Sequence, residues 1–147
     1  MHTHVHLIIT IINEFTIDRV MRSINQIFAH KYNLRKGRSG HLWLARYKSS
    51  VIDSDEYFLC CNRYLDRNAT RAGIVSIPKD WQWGGFHFYA YGRPNNLITP
   101  SSTYLGLDDA QIGRQEKYRK FVEDAIPSDE IRDKEWIHSR WPKRKHR

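Results

Sequence analysis

The chain has 147 residues and a mass of 17.6 kDa, a length that suits one domain with its own core better than two domains or a stapled mini-protein. Its 40% hydrophobic and 27% charged residues exclude a disordered chain and a membrane bundle. The 24 Lys+Arg against 16 Asp+Glu leave a net charge of +8, and nucleic acid is the commonest partner of so basic a domain.

Cys60 and Cys61 are adjacent, a spacing that does not suit an unstrained disulfide, so the sequence reads as a reduced, intracellular protein. The longest apolar stretch, Leu7 to Ile12, is too short to cross a bilayer or to serve as a signal sequence. The expected localisation is cytoplasmic, with no membrane partner.

From Thr3 to Ile12 the residues THVHLIITII are β-branched and begin with period-two alternation, which predicts a strand. His4, His6 and Ile8 then share one face, and Val5, Leu7 and Ile9 form the core face. After a break at Asn13 and Glu14, Thr16 is placed to cap a helix with Asp18 in its first turn. Ile17, Val20, Met21, Ile24, Ile27 and Phe28 recur at spacings of three and four and predict its apolar stripe.

Lys31, Arg35, Lys36, Arg38, Arg46 and Lys48 follow with no acidic residue among them, around a GRSG turn at Gly37 to Gly40. Tyr32, His41, Trp43 and Tyr47 are interleaved, so the segment can pair phosphate contacts with base stacking. A solvated basic face with Trp43 in the core is the plainer alternative. The middle and end of Leu42 to Ile52 suit a second strand.

Asp53 can cap the next helix, with Glu56 completing a capping box, which makes Asp53, Asp55 and Glu56 capping residues rather than a catalytic acid pair. Within Ser54 to Asn68, the residues Tyr57, Cys61, Tyr64 and Asn68 fall on one helical stripe. Gly73 is a stop, Ile74 to Ile77 a short strand, and within the aromatic-rich run Asp80 to Tyr91 the cluster of Trp81, Trp83 and Phe86 reads as a core lid rather than a base-stacking platform. Asn95 to Thr103 reads as a loop, Asp108 to Asp124 as a last helix, and RWPKRKHR at Arg140 to Arg147 as a basic tail.

Two histidines at i and i+2 on a strand form a bidentate metal pair, although a surface strand carries the same pattern. His2, His4, His6, Cys60 and Cys61 do not make a credible zinc site, because no CxxC spacing is present and neighbouring helical cysteines diverge.

The ordered series of His4-Val5-His6 before apolar residues, GRSGHLW, RYKSSVIDSDEYFLCCNRYLDRNATRAGIV and DWQWGGF resembles the REP-associated tyrosine transposases. These are the single-tyrosine branch of the HUH endonucleases. The resemblance runs from Met1 to about Tyr89, with a weaker echo in LGLDDAQIGRQEKYRKFVED. It implies an α+β fold, an antiparallel sheet with helices packed on it in the ferredoxin-like or RRM-like manner. The implied organisation is a transposase domain over residues 1–92, a helical extension over 93–139 and the basic tail over 140–147.

By the same resemblance Tyr64 is the nucleophile, while His4, His6 and the amide Asn68 hold a divalent cation, Mg²⁺ or Mn²⁺. The substrate implied is single-stranded or hairpin DNA, cleaved through a 5′-phosphotyrosine and passed on by strand transfer. Lys31, Arg35, Lys36, Arg38, His41, Arg46 and Lys48 are the expected DNA-binding residues, no general base is assigned, and a homodimer is admitted alongside a monomer. Three departures stand out. His2-Thr3 replaces a usual Pro-Asn, Ala69 replaces a usual proline, and relatives carry a further strand and helix ahead of the histidine pair. The last of these makes an N-terminally truncated domain the expectation, with a catalytically impaired remnant that only binds DNA as the alternative.

Overall fold

The computed structural model describes residues 4–12, 16–125, 127–129 and 135. His2, the Asn13-Glu14 break and the basic tail at 140–147 lie outside the described residues. Among those described, every regular element is helical, and they fall into two compact units. One comprises Ile9–Ser50, and the other joins the segment up to Ile8 to the residues from Val51 onward.

The Ile9–Ser50 unit is built on helix α1, Ile17–Lys36. The Thr16 side chain accepts from the Arg19 N–H at its start, and Gly37, at φ 59°, closes it in the left-handed conformation that favours glycine. Asp18 in the first turn and Arg35 and Lys36 in the last complement the helix dipole. The chain beyond the turn folds back on this helix. Trp43 Nε1 donates to the Asn25 carbonyl at 2.9 Å and its ring lies 5.5 Å from that of Phe28, while the Tyr47 hydroxyl donates to Asp18. Of the expected apolar stripe only Met21 is buried, and Ile24, Ile27 and Phe28 remain exposed. Helical period decided that α1 forms; the few side chains of its own unit that return to it do not cover its whole stripe.

The second unit starts with α2, Asp55–Asp66, continued after Arg67 by the single turn α3, Asn68–Arg71. Its cap is Ser54 rather than the expected Asp53, the Ser54 hydroxyl accepting from the Tyr57 N–H at 3.2 Å. A 3-10 turn at Pro78–Asp80 follows, then α4 (Phe86–Tyr91), α5 (Ser102–Leu105) and α6 (Gln111–Glu123). Phe86, Tyr89, Ala90, Tyr104, Tyr118 and Val122 form the main core. Two of its buried hydroxyls are paired: Tyr104 donates to the Tyr89 carbonyl at 2.8 Å and Tyr118 to Asp66 Oδ2 at 2.6 Å. A smaller cluster of Tyr57, Cys61 and Tyr64 is covered by Ile8, Ile52 and Leu65, so the predicted stripe is realised as a buried face of α2.

The antiparallel sheet expected of the fold is not found among the described residues. The strands predicted over Thr3 to Ile12, Leu42 to Ile52 and Ile74 to Ile77 have no ladder among the described residues. A strand, unlike a helix, takes its backbone hydrogen bonds from a neighbour, so β-branched alternation cannot create one alone. The expected core face shows the same deficit, with Val5 65% and Leu7 53% exposed. The α+β ferredoxin-like class is therefore corrected to a helical architecture over the described residues.

Candidate active site

Three of the chemistry-bearing residues meet at the small cluster of the second unit. The His4 and His6 rings lie edge-on to one another with centroids 5.0 Å apart, as the i, i+2 spacing in an extended segment allows. His6 in turn meets Tyr64 edge-on at 5.6 Å. Tyr64 is delivered by α2, the side of which packs Tyr57 and Cys61 inward, and is itself only 7% exposed. Ile8 packs on the same cluster, which ties the histidine segment to the helix through ordinary apolar contact.

Asn68 opens α3 and is buried. Arg67, between the two helices, keeps right-handed helical angles of φ −88° and ψ −2°, so Tyr64 and Asn68 stay about one turn apart along a nearly continuous path.

The arginines around Tyr64 sort differently from their order in the chain. Arg63 stacks its guanidinium 4.3 Å from the Phe121 ring and lies 3.9 Å from Asp129. Arg67 donates to the Val122 carbonyl at 2.9 Å. Both tie α2 to the C-terminal helices. Arg71 is the cation on the tyrosine, its guanidinium carbon 3.8 Å from the Tyr64 ring centroid and Nη2 3.1 Å from the Tyr64 carbonyl oxygen. Arg71 is not among the site residues expected from the sequence. The signal was the seven-residue interval from Tyr64, two turns on the same face.

Behind the tyrosine, Asp66 is buried and accepts from the Tyr118 hydroxyl and from the backbone N–H groups of Gly85 and Phe86. Burial pushes its carboxyl up to about 7, while the three donors pull it back down. A side chain at Gly85 would place its Cβ 3.2 Å from the Tyr89 ring and 3.7 Å from Asp66 Oδ1, so the tight approach at this glycine is to the ring and not to the carboxyl. Asp66 is thus an internal post between the tyrosine helix and the main core.

The expected DNA-binding residues belong to the other unit. Lys31, Arg35 and Lys36 stand on the last turns of α1 rather than on the loop, and Arg38, His41, Arg46 and Lys48 follow in the segment that turns back. All seven are exposed. Arg38 reaches the His41 carbonyl and Asn33 the Gly40 carbonyl, which shapes the GRSG turn without neutralising its charge. Trp43 is half-buried on α1. Cys60 and Cys61 are buried thiols, and no group of three His, Cys, Asp or Glu residues among those described is arranged to hold a metal. That observation leaves a His-His-amide set untouched. No helix among the described residues is long and apolar enough to cross a membrane.

Comparison with known families adds one finding. Residues 1–68 match the family described as IS200-like transposases, an interval that includes His4, His6, Tyr64 and Asn68 and stops at the last of them. No curated protein and no solved structure matches the chain.

Proposed function

We propose, from the match of residues 1–68 to the family of IS200-like transposases, that the chain nicks and rejoins single-stranded or hairpin DNA with Tyr64 as nucleophile. The observation that carries the reading is the contact of His6 with the Tyr64 ring, with His4 beside it. It brings a phenol and two imidazoles together across an interval of 58 residues from His6 to Tyr64, side chains suited to a hydroxyl nucleophile and to nitrogen ligands.

Tyr64 Oη attacks the phosphorus of a phosphodiester, the phosphorus–O3′ bond breaks, and the phenolic proton passes through solvent to the departing 3′-oxygen. The products are a 5′-phosphotyrosine and a free 3′-OH. Because the new ester keeps the phosphodiester's bond energy, the 3′-OH of another strand can reverse the step, which makes cleavage strand transfer. His4, His6 and Asn68 would hold a divalent cation. The His4 and His6 rings, with centroids 5.0 Å apart, are near enough to each other for both imidazoles to serve one ion. When bound, such a cation neutralises charge on the scissile phosphate, and nitrogen ligands favour Mn²⁺ over Mg²⁺. The exposed cations from Lys31 to Lys48 supply phosphate affinity.

The test uses hairpin and single-stranded DNA with Mn²⁺. DNA labelled at its 3′ end should become covalently attached to the protein, DNA labelled at its 5′ end should be released with a 3′-OH, and Tyr64→Phe should abolish both while still binding. A second reading draws on the burial of Tyr64, which favours a module that binds DNA without cutting it. It predicts salt-sensitive binding and no adduct in any divalent metal.

A further inference from the structure

We propose that Arg71 is the positioning residue for the Tyr64 nucleophile, a two-point clamp that sets the orientation of the phenol ring toward the phosphate. The proposal rests on the reading of Tyr64 as nucleophile and adds to it a residue beyond the family match, which stops at Asn68.

The geometry is specific to arginine. The guanidinium carbon lies 3.8 Å from the Tyr64 ring centroid, and the same group donates through Nη2 to the Tyr64 backbone carbonyl at 3.1 Å. The planar fork therefore grips both the main chain and the side chain of one residue, which a flexible ammonium cannot do at once. Arg71 is held in turn, since it closes α3 with its backbone N–H on the Arg67 carbonyl at 2.9 Å. Its flanks are held as well. Ala69 is buried, and the Ile74 N–H returns to the Ala69 carbonyl at 3.0 Å around Gly73, whose φ of 65° makes the turn.

The functional consequence follows from what a tyrosine must do. Its Oη sits at the end of two rotatable bonds, and a misplacement of an ångström at the reacting atom costs a large part of the rate. The His6 edge meets the ring from a segment far from Tyr64 in sequence, whereas Arg71 rides on the same helical run as Tyr64. The arginine fixes the ring relative to its own backbone, and the histidine contact fixes it relative to the metal pair. Arg63 and Arg67, sequence neighbours of the tyrosine, are engaged with Phe121 and Val122 and serve packing.

The experiment compares wild type, Arg71→Gln and Arg71→Lys in three readouts on the full chain: single-turnover adduct formation with hairpin DNA in Mn²⁺, DNA affinity, and the ¹⁹F resonance of 3-fluorotyrosine placed at position 64. The expected result is a loss of about 10- to 100-fold in the adduct rate for Arg71→Gln, with affinity changed by less than about 3-fold. Arg71→Lys recovers part of the rate, and the ¹⁹F line shifts or broadens in Arg71→Gln and returns toward wild type in Arg71→Lys. An adduct rate equal to wild type in Arg71→Gln overturns the clamp alone, as does a loss of affinity equal to the loss of rate, which marks Arg71 as a phosphate contact. If Arg71→Gln does not fold, the Lys variant decides: an unperturbed ¹⁹F line with an unchanged rate overturns the proposal, and a partial loss in both supports it. Wild-type protein that forms no adduct overturns the reading of Tyr64 as nucleophile, and the clamp with it.

Discussion

Replacing Tyr118 with phenylalanine deletes one oxygen from the middle of the helical core and tests how the tyrosine helix is anchored. Tyr118 and Asp66 are both buried, their oxygens are 2.6 Å apart, and Asp66 has two further donors in the Gly85 and Phe86 N–H groups. The ring keeps its size, so packing changes little and the deficit is the lost hydrogen bond. That bond is worth about 1.5–3 kcal/mol to a charged carboxylate and about 0.5–1.5 kcal/mol to a neutral acid.

Which value applies depends on pH. Burial raises the Asp66 carboxyl from 3.8 to about 7. A folded-state value above the unfolded one means that the folded protein prefers the protonated form. Its stabilising contribution is therefore complete below about pH 4 and is lost as pH rises through about 7. Tyr118 is one of the groups pulling the value down, so its removal raises it further and the deficit of Tyr118→Phe grows with pH. Urea unfolding in the presence of a chelator should show Tyr118→Phe less stable than wild type by about 1 kcal/mol at pH 5 and by about 2 kcal/mol or more at pH 8. A deficit that is equal at the two pH values, or that shrinks at the higher one, refutes the assignment of Asp66 as a buried acid held by that hydroxyl.

Other outcomes follow from the same structure. Gly85→Ala should cost about 1–3 kcal/mol by thermal unfolding, because the added Cβ meets the Tyr89 ring at 3.2 Å in a place where backbone angles of φ −79° and ψ −14° suit any residue. The cost is then steric, and a smaller residue opposite it, in Gly85→Ala with Tyr89→Leu, should make the two changes cost less than their sum. Arg35→Ala and Lys36→Ala, both exposed on the last turn of α1, should each lower the slope of log affinity against log salt by about 1 on single-stranded DNA without altering the unfolding transition by more than about 0.5 kcal/mol. An unchanged slope for both would remove them from the DNA-binding surface.

Helices α1 and α2 were legible because each carries its own instructions, whereas α4 and α5 fall in segments read as a lid and a loop. Thr16, Asp18 and Gly37 mark the two ends of α1 within the chain that forms it, and the Tyr57, Cys61, Tyr64 spacing marks the buried face of α2. The one-residue difference at the start of α2 is local as well, since Ser54 and Asp53 are both good caps and only the backbone path selects between them. Strands were not legible in the same sense. Alternation in Thr3 to Ile12 describes a side-chain pattern, and the missing ingredient is a paired backbone that no residue inside the segment supplies.

What the sequence determined by itself is the match of residues 1–68 to the IS200-like transposases, the positive charge from Lys31 to Lys48 and the placement of Tyr64 and Asn68 one helical turn apart. These are properties of order and spacing. Tertiary structure alone decided that His6 meets Tyr64, that Arg71 rather than its nearer neighbours covers the ring, and that Asp66 is buried against Tyr118 across an interval of 52 residues. Each of the three depends on where a side chain ends after the helices have packed. A carboxylate and a phenol distant in sequence look like two unrelated surface groups until the core closes around them and removes the water that would otherwise have satisfied both.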